Sequence, residues 1–408
     1  MSAATTPEGS GVTHPSPTVP APLTEPPRTQ CRAYTPKGPT AVRALGVFAA
    51  ARLTGLLAVT AVAHATGQDT FRLLGRSWDS RWYTGIAAHG YGRTLHFEPG
   101  VVQSDLAFFP LYPGLIRAVT TLTPLSHGAA GLLVSWLAAG AAALGIYALA
   151  ARLYDRRTAT VLVLLWGLMP HSVILSMAYT EPVLTALAAW SLYALLTRRW
   201  LWAGALAALA GLARPNGFAV AAAVLAVAVY EIARRRGRGV PHRLWTGALL
   251  APLGWAAYVL WVGLRRGDAL GGYFAVQRGW GSRFDFGAGS FAFAEHLLLH
   301  GDKLVHSMTL VIVAVAVLLF ALLVADRAPL PLLVYTGVLL LITVGGSGFF
   351  ESKPRFLLPA FPLLIPLALA VTRTARARPR NAYLVVGALA GLSVAYGTYL
   401  VAIARMPL

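Results

Sequence analysis

The chain has 408 residues, 57% of them hydrophobic and only 12% charged, with a mean hydropathy of +0.62. A soluble chain of this length carries about twice that charged fraction, so a soluble globular protein is excluded. The net charge of +19 would suit nucleic acid, but the charge distribution below accounts for it without nucleic acid. A single cysteine, Cys31, excludes an intrachain disulfide. The high Ala, Gly and Arg content points to a GC-rich bacterial source.

Residues 1–40 are rich in Pro, Thr and Ser and hold no apolar run, so they are expected to form a disordered cytoplasmic tail. No basic start followed by an apolar core opens the chain, so no cleavable signal peptide is expected. Residues 41–408 read as one all-α, polytopic transmembrane domain. Apolar runs predict about eleven spans, near 43–66, 128–151, 158–176, 180–197, 200–213, 216–233, 244–264, 304–325, 328–346, 355–372 and 381–403. The first outer loop is expected to carry interfacial helices. One is SWDSRWYTGIAAHGY (77–91), where Trp78, Trp82, Ile86 and His89 share a helical face and the rings suit headgroup depth. Ser77 would cap it, which puts Asp79 in the first turn, where the dipole favours a carboxylate. A second is DLAFFPLYPGLIRAVTTL (105–122), apolar but broken by two prolines and an Arg.

With the N-terminus in the cytoplasm, 19 of the 34 Lys and Arg fall in cytoplasmic segments and 14 in outer ones, while the acidic residues divide 5 to 10. The cytoplasmic loops are short and densely basic, which is the orienting pattern. A multi-pass protein of the cell membrane, with its unusual polar residues on the extracytoplasmic side, is the result.

Five clusters gather on that outer side. They hold Asp79, Arg81, His89, Glu98 and Asp105; Tyr179 and Glu181; Arg214 and Asn216; the loop QRGWGSRFDF; and Glu351, Lys353 and Arg355. Ionisable residues near membrane depth are functional candidates. Each also has a plainer reading. Asp79 and Glu181-Pro182 would support helix starts, Asn216-Gly217 a turn, and Lys353 and Arg355 interface anchors. Arg52, within the first span, either pairs inside the bundle or contacts phosphate. His296, His300 and His306 have a spacing that can hold zinc, but no HExxH or Cys partner accompanies them, and no metal site is assigned.

One carboxylate, several cations and nearby aromatics suit sugar transfer from a lipid phosphate. An acceptor hydroxyl needs a base, and a phosphate leaving group needs cations. No Asp-x-Asp motif for a nucleotide sugar and no Walker loop is present, so no cofactor and no metal are expected. Asp79 is the candidate base. Arg355, Lys353 and Arg214 are the candidate phosphate contacts. Trp78, Arg81, His89, Asp105, Glu181 and Asn216 are the candidate substrate contacts.

The stretches WDSRWYTGIAAHGY and LAFFPLYPGLIR (106–117), with MAYTEPVLTALAAW (177–190), RPNG (214–217) and KPRFLLPAFPLL (353–364), resemble in order and spacing the PIG-V-like mannosyltransferase family. The resemblance runs from about residue 45 to 372. It departs at Trp82, where some members carry a histidine. It implies GT-C-type architecture and inverting transfer of mannose from polyprenyl-phosphate mannose to a lipid, glycan or protein hydroxyl, with Asp79 as general base. Another polyprenyl-phosphate-linked sugar, such as glucose or arabinose, and a lipid-linked sugar transporter or flippase, remain the competing readings. A transporter would call for inverted repeats, and none is found.

Overall fold

The computed structural model describes Met1 and residues 39–98, 101–404 and 406. The disorder expected for the tail, and Cys31, lie outside the described residues.

Among the described residues the chain is built almost wholly of helices, as expected. In order they are α1 (Pro39–Ala65), α2 (Thr70–Gly75), α3 (Asp79–His89), α4 (Leu111–Leu122), α5 (His127–Leu153), α6 (Arg156–Gly167), α7 (Glu181–Leu196), α8 (Trp200–Ala213), α9 (Phe218–Arg234), α10 (His242–Leu250), α11 (Leu253–Arg265), α12 (Gly272–Gly279), α13 (Ala288–His300), α14 (Leu304–Ala325), α15 (Leu330–Gly345), α16 (Lys353–Phe356), α17 (Ile365–Ala377) and α18 (Pro379–Thr398). Two small antiparallel pairs interrupt them. β1 (Thr94–Glu98) pairs with β2 (Val101–Ser104), and β3 (Arg283–Phe284) with β4 (Gly346–Ser347).

The count of eleven spans is not reproduced. Among the described residues, six helices are long and apolar enough to cross a membrane: Thr40–Ala65, His127–Leu153, Pro215–Arg234, His242–Arg265, Leu304–Ala325 and Pro379–Ala404. A seventh is reached if the pair Phe350–Phe356 and Phe361–Ala377, bent by 77°, is one broken span. Three expected spans are shorter apolar helices, α7, α8 and α15. The expected span 158–176 fails for a local reason. Its helix ends at Gly167, three residues before Pro170, and resumes as a 3-10 turn over Ser172–Ser176. The residue before a proline is pushed out of the helical region, so the helix stops there. The chain is a multi-pass membrane protein by these apolar helices.

The helix α7 forms the centre. Thirteen of its sixteen residues are buried, Glu181 among them. Small residues let its neighbours close in. A Cβ added at Gly204 of α8 would run into the backbone of Gly247 of α10, the close contact that small residues permit between membrane helices. Arg52 pairs inside the bundle through hydroxyls and a carbonyl. It donates to the Gly167 carbonyl at 2.7 Å, to Ser176 Oγ at 3.3 Å and to Ser172 Oγ. It thereby ties α1 to the break after α6, where helix-end carbonyls lack partners.

Candidate active site

The segment entering α3 is strained. Trp78 takes φ 46°, a conformation rarely adopted by a bulky residue. Ser77 does not cap the helix as expected. Its hydroxyl turns back to the Leu73 carbonyl, and Trp78 takes the cap position without a side-chain bond. Asp79 is then the first residue of α3, at the positive end of the helix dipole. Below it Trp82 and Ile86 are buried, but His89 at the far end is exposed. Trp82 stacks on Phe108, with centroids 5.7 Å apart, and meets Trp280 edge-on at 5.1 Å.

Asp79 Oδ2 accepts a hydrogen bond from Arg355 Nη1 at 2.7 Å. Arg355 Nε lies 3.3 Å from Glu181 Oε1, and the same oxygen is in contact with Arg214 Nη1. Four charges thus alternate in a row: Asp79, Arg355, Glu181, Arg214. Rings enclose the two guanidinium groups. Arg355 lies over Tyr179 at 5.4 Å and Phe356 at 5.2 Å, and Arg214 lies over Phe356 at 5.6 Å. Such contacts favour a cation withdrawn from water. Arg355 and Arg214 are each 6% exposed and Glu181 1%. Asp79 alone keeps appreciable exposure, at 20% of its side chain.

The row opens on a cavity of about 1570 Å³, larger than a typical small-molecule pocket of ~300–1,000 Å³. Residues of four of the five clusters expected on the outer side line it, from the segment between α2 and β2, the turn after α8, the QRGWGSRFDF loop and the turn after β4. From the fifth, Glu181 supports the wall from behind. The lining holds nine cations and two carboxylates, Asp69 and Asp79. Arg81, Trp78 and Asn216 face it together with Asp79, Arg214, Lys353 and Arg355. The cavity is therefore a strongly cationic chamber with aromatic walls, suited to an anion joined to a sugar or lipid.

Three expected contacts fall elsewhere. His89 lies off the cavity, exposed, and Glu181 sits behind the arginines rather than on the wall. Asp105 is 1% exposed and clamps a loop: its Oδ2 accepts from the Gly92 and Arg93 amides, both at 2.8 Å. A carboxylate so placed fixes a turn, as Asp does in loops, and here it sets Arg93, whose guanidinium lies 5.1 Å above Trp82 on the wall. Lys353 faces the cavity but spends two donors on the Thr343 and Gly346 carbonyls, both at 2.6 Å. It closes the end of α15 as well as adding charge. His306 is engaged by Asp302 at 2.7 Å, and the His296 and His300 rings stack at 4.6 Å.

Other wall residues were not assigned a role from the sequence: Tyr83, Arg93, Gln277, Arg278, Trp280, Arg283 and Phe349. Four lie in the QRGWGSRFDF cluster, so that motif was the available signal. Phe349 takes φ 43°, so two aromatic residues with strained backbones flank the site from opposite ends of the chain. Burial pushes the Tyr273 hydroxyl above its ordinary value, so it stays protonated; Gln277 Nε2 donates to it at 2.7 Å.

Residues 108–261 match the sequence profile described as dolichyl-phosphate-mannose-protein mannosyltransferase. The match spans under half of the chain and contains Glu181, Arg214 and Asn216 but neither Asp79 nor Arg355. No curated protein sequence matches significantly. Among solved structures, the apo Archaeoglobus fulgidus oligosaccharyltransferase superposes with a TM-score of 0.52 and 14% identity, covering 89% of this chain and 56% of that one. The chain shares the GT-C membrane fold. The same archaeal enzyme tethered to an acceptor peptide containing the NVT sequon gives a TM-score of 0.46 at 14% identity, over 90% of this chain and 55% of that one. The chain thus spans little more than half the length of that enzyme.

Proposed function

We propose that this chain is an inverting membrane glycosyltransferase of the PIG-V-like type, taking mannose from polyprenyl-phosphate mannose. The acceptor is a hydroxyl of a lipid, glycan or protein on the extracytoplasmic face of a bacterial cell membrane. The observation that carries the reading is the Asp79–Arg355 pair on the wall of a cationic, aromatic chamber. The match to a mannosyltransferase profile over residues 108–261 supports the sugar.

In this reading Asp79 takes the proton of the acceptor hydroxyl, the oxygen attacks the sugar carbon from the face opposite the phosphate, and the lipid phosphate leaves. Arg355 and Arg214 supply planar donors for the phosphate oxygens, and Lys353 adds a charge nearby. Trp78, Arg81 and Asn216 hold the sugar or the acceptor. Two carboxylates, as in hydrolases of glycosides, are not required, because the lipid phosphate leaves without protonation. The test is transfer by purified protein from labelled polyprenyl-phosphate mannose, glucose and arabinose to a lipid extract. Transfer from none of them would refute the reading.

A further inference from the structure

The row Asp79, Arg355, Glu181, Arg214 contains two carboxylates and two guanidinium groups, so their charges cancel. Arg355 already gives Nη1 to Asp79 and faces Glu181 with Nε. Two of its three nitrogens therefore already face carboxylates, and a phosphate entering the chamber meets a neutralised cluster rather than a free arginine. Arg355 is also held in place: it is 6% exposed, backed by Glu181 and sandwiched between the Tyr179 and Phe356 rings. The group with room to move is Asp79, whose side chain is 20% exposed and lines the cavity.

Resting on the glycosyltransferase reading above, we propose that Arg355 is an exchange point: the donor's phosphate takes the guanidinium from Asp79, and that displacement frees the carboxylate to face the acceptor. Glu181 is the positioning residue, keeping Arg355 within reach of both partners. The step balances. The acceptor O–H proton passes to the freed Asp79 carboxylate, and the acceptor oxygen bonds to the sugar carbon. The carbon–oxygen bond to phosphate breaks, and its electron pair stays on the phosphate oxygen. The lipid phosphate gains one negative charge as Asp79 loses one, so Asp79 no longer competes for Arg355 when the charge on the leaving group is greatest. Loss of the Asp79 proton to water and return of Asp79 to Arg355 then expel the lipid phosphate.

The exchange makes Asp79 a competitor of the phosphate. If the pair is closed about nine-tenths of the time, apparent phosphate affinity is reduced roughly ten-fold, by the fraction of competent sites. The test is binding of farnesyl phosphate to the purified full-length protein in detergent micelles, by calorimetry. Asp79→Asn is expected to bind about ten-fold tighter than the native protein. Asp79→Ser, which withdraws the accepting oxygen from Arg355, serves as a second variant. Inorganic phosphate, run in parallel, is expected to show the same gain at lower affinity, since only the phosphate group exchanges. Glu181→Gln is expected to weaken binding, because Arg355 loses its rear counter-ion. Unchanged or weaker binding in both Asp79 variants would overturn the exchange. Turnover is read separately: an inactive Asp79→Asn with native affinity rejects the exchange and keeps the base, whereas tighter binding with retained turnover supports the exchange and removes the base.

Discussion

Asp79 and Arg355 are separated by 276 residues in the chain and stand 2.7 Å apart in the fold. One opens α3 and the other lies in the short α16, so the bond joins the first outer loop to the segment after β4. If Asp79 is the base, Asp79→Asn removes its proton acceptor while keeping its shape. Transfer is expected to fall by ~100-fold to 10,000-fold, with the protein still folded by its chromatographic profile. Near-native turnover in a well-expressed variant would reassign the base.

Arg355 serves Asp79 and Glu181 at once and is framed by two rings. A lysine keeps the charge but offers neither the fork nor the flat face. Arg355→Lys is therefore expected to lose most of the transfer rate and to bind farnesyl phosphate more weakly. Equal activity in the two proteins would reduce Arg355 to an anchor at the membrane interface.

Glu181 is 1% exposed and is the counter-ion of two arginines, each 6% exposed. Removing one partner of a buried ion pair leaves an uncompensated charge and costs about 3–5 kcal/mol. Glu181→Ala should lower the thermal unfolding midpoint in detergent, while Arg81→Ala, exposed on the wall, should leave it near native. Equal midpoints for the two variants would show that the arginines find other partners.

The strongly apolar helices were legible because nothing in them competes. The predicted spans 200–213 and 304–325 coincide with α8 and α14. The candidate site was legible as five polar clusters, four of which line one cavity, since ionisable residues in apolar surroundings stand out in any sequence. Their pairing was not. Lys353 and Arg355 read alike as cations, yet Lys353 turns to the carbonyls ending α15 and Arg355 to two carboxylates. That difference depends on α15 and α7 arriving from elsewhere in the chain. Asp105 read as a substrate contact because it is an ionisable residue near membrane depth, but the glycine-containing loop it clamps supplies the amides that its Oδ2 accepts. The β3–β4 pair joins two residues to two across some sixty positions, too short for any alternation to reveal.

The orientation is open to cysteine labelling. Ser80 and Ser352, although in the outer clusters, are 0% and 2% exposed and would report poorly. Phe97, 60% exposed in β1, and Ala375, exposed in α17, are suitable. With Cys31 replaced by serine, Phe97→Cys in intact cells should react with an impermeant maleimide and Ala375→Cys should not. The reverse pattern would put the chamber on the cytoplasmic side.

The donor can be tested directly. Nucleotide sugars are made in the cytoplasm, whereas the orientation proposed above puts the chamber on the opposite side. A donor delivered through the bilayer on a lipid phosphate meets that constraint, and its single phosphate matches a chamber with nine cations in its wall. Those cations can stabilise the developing charge on the leaving oxygen in the way a metal would. Purified protein is therefore expected to transfer mannose from polyprenyl-phosphate mannose and not from GDP-mannose, and to keep its rate in excess EDTA. Product formed from each donor, with and without the chelator, separates the possibilities. Activity from GDP-mannose alone would reject a lipid donor. Activity from the lipid donor that EDTA abolishes would keep the donor but give part of the phosphate's stabilisation to a divalent ion. Asp79 would then be the first ligand to examine, because it is the carboxylate in the row that faces the chamber.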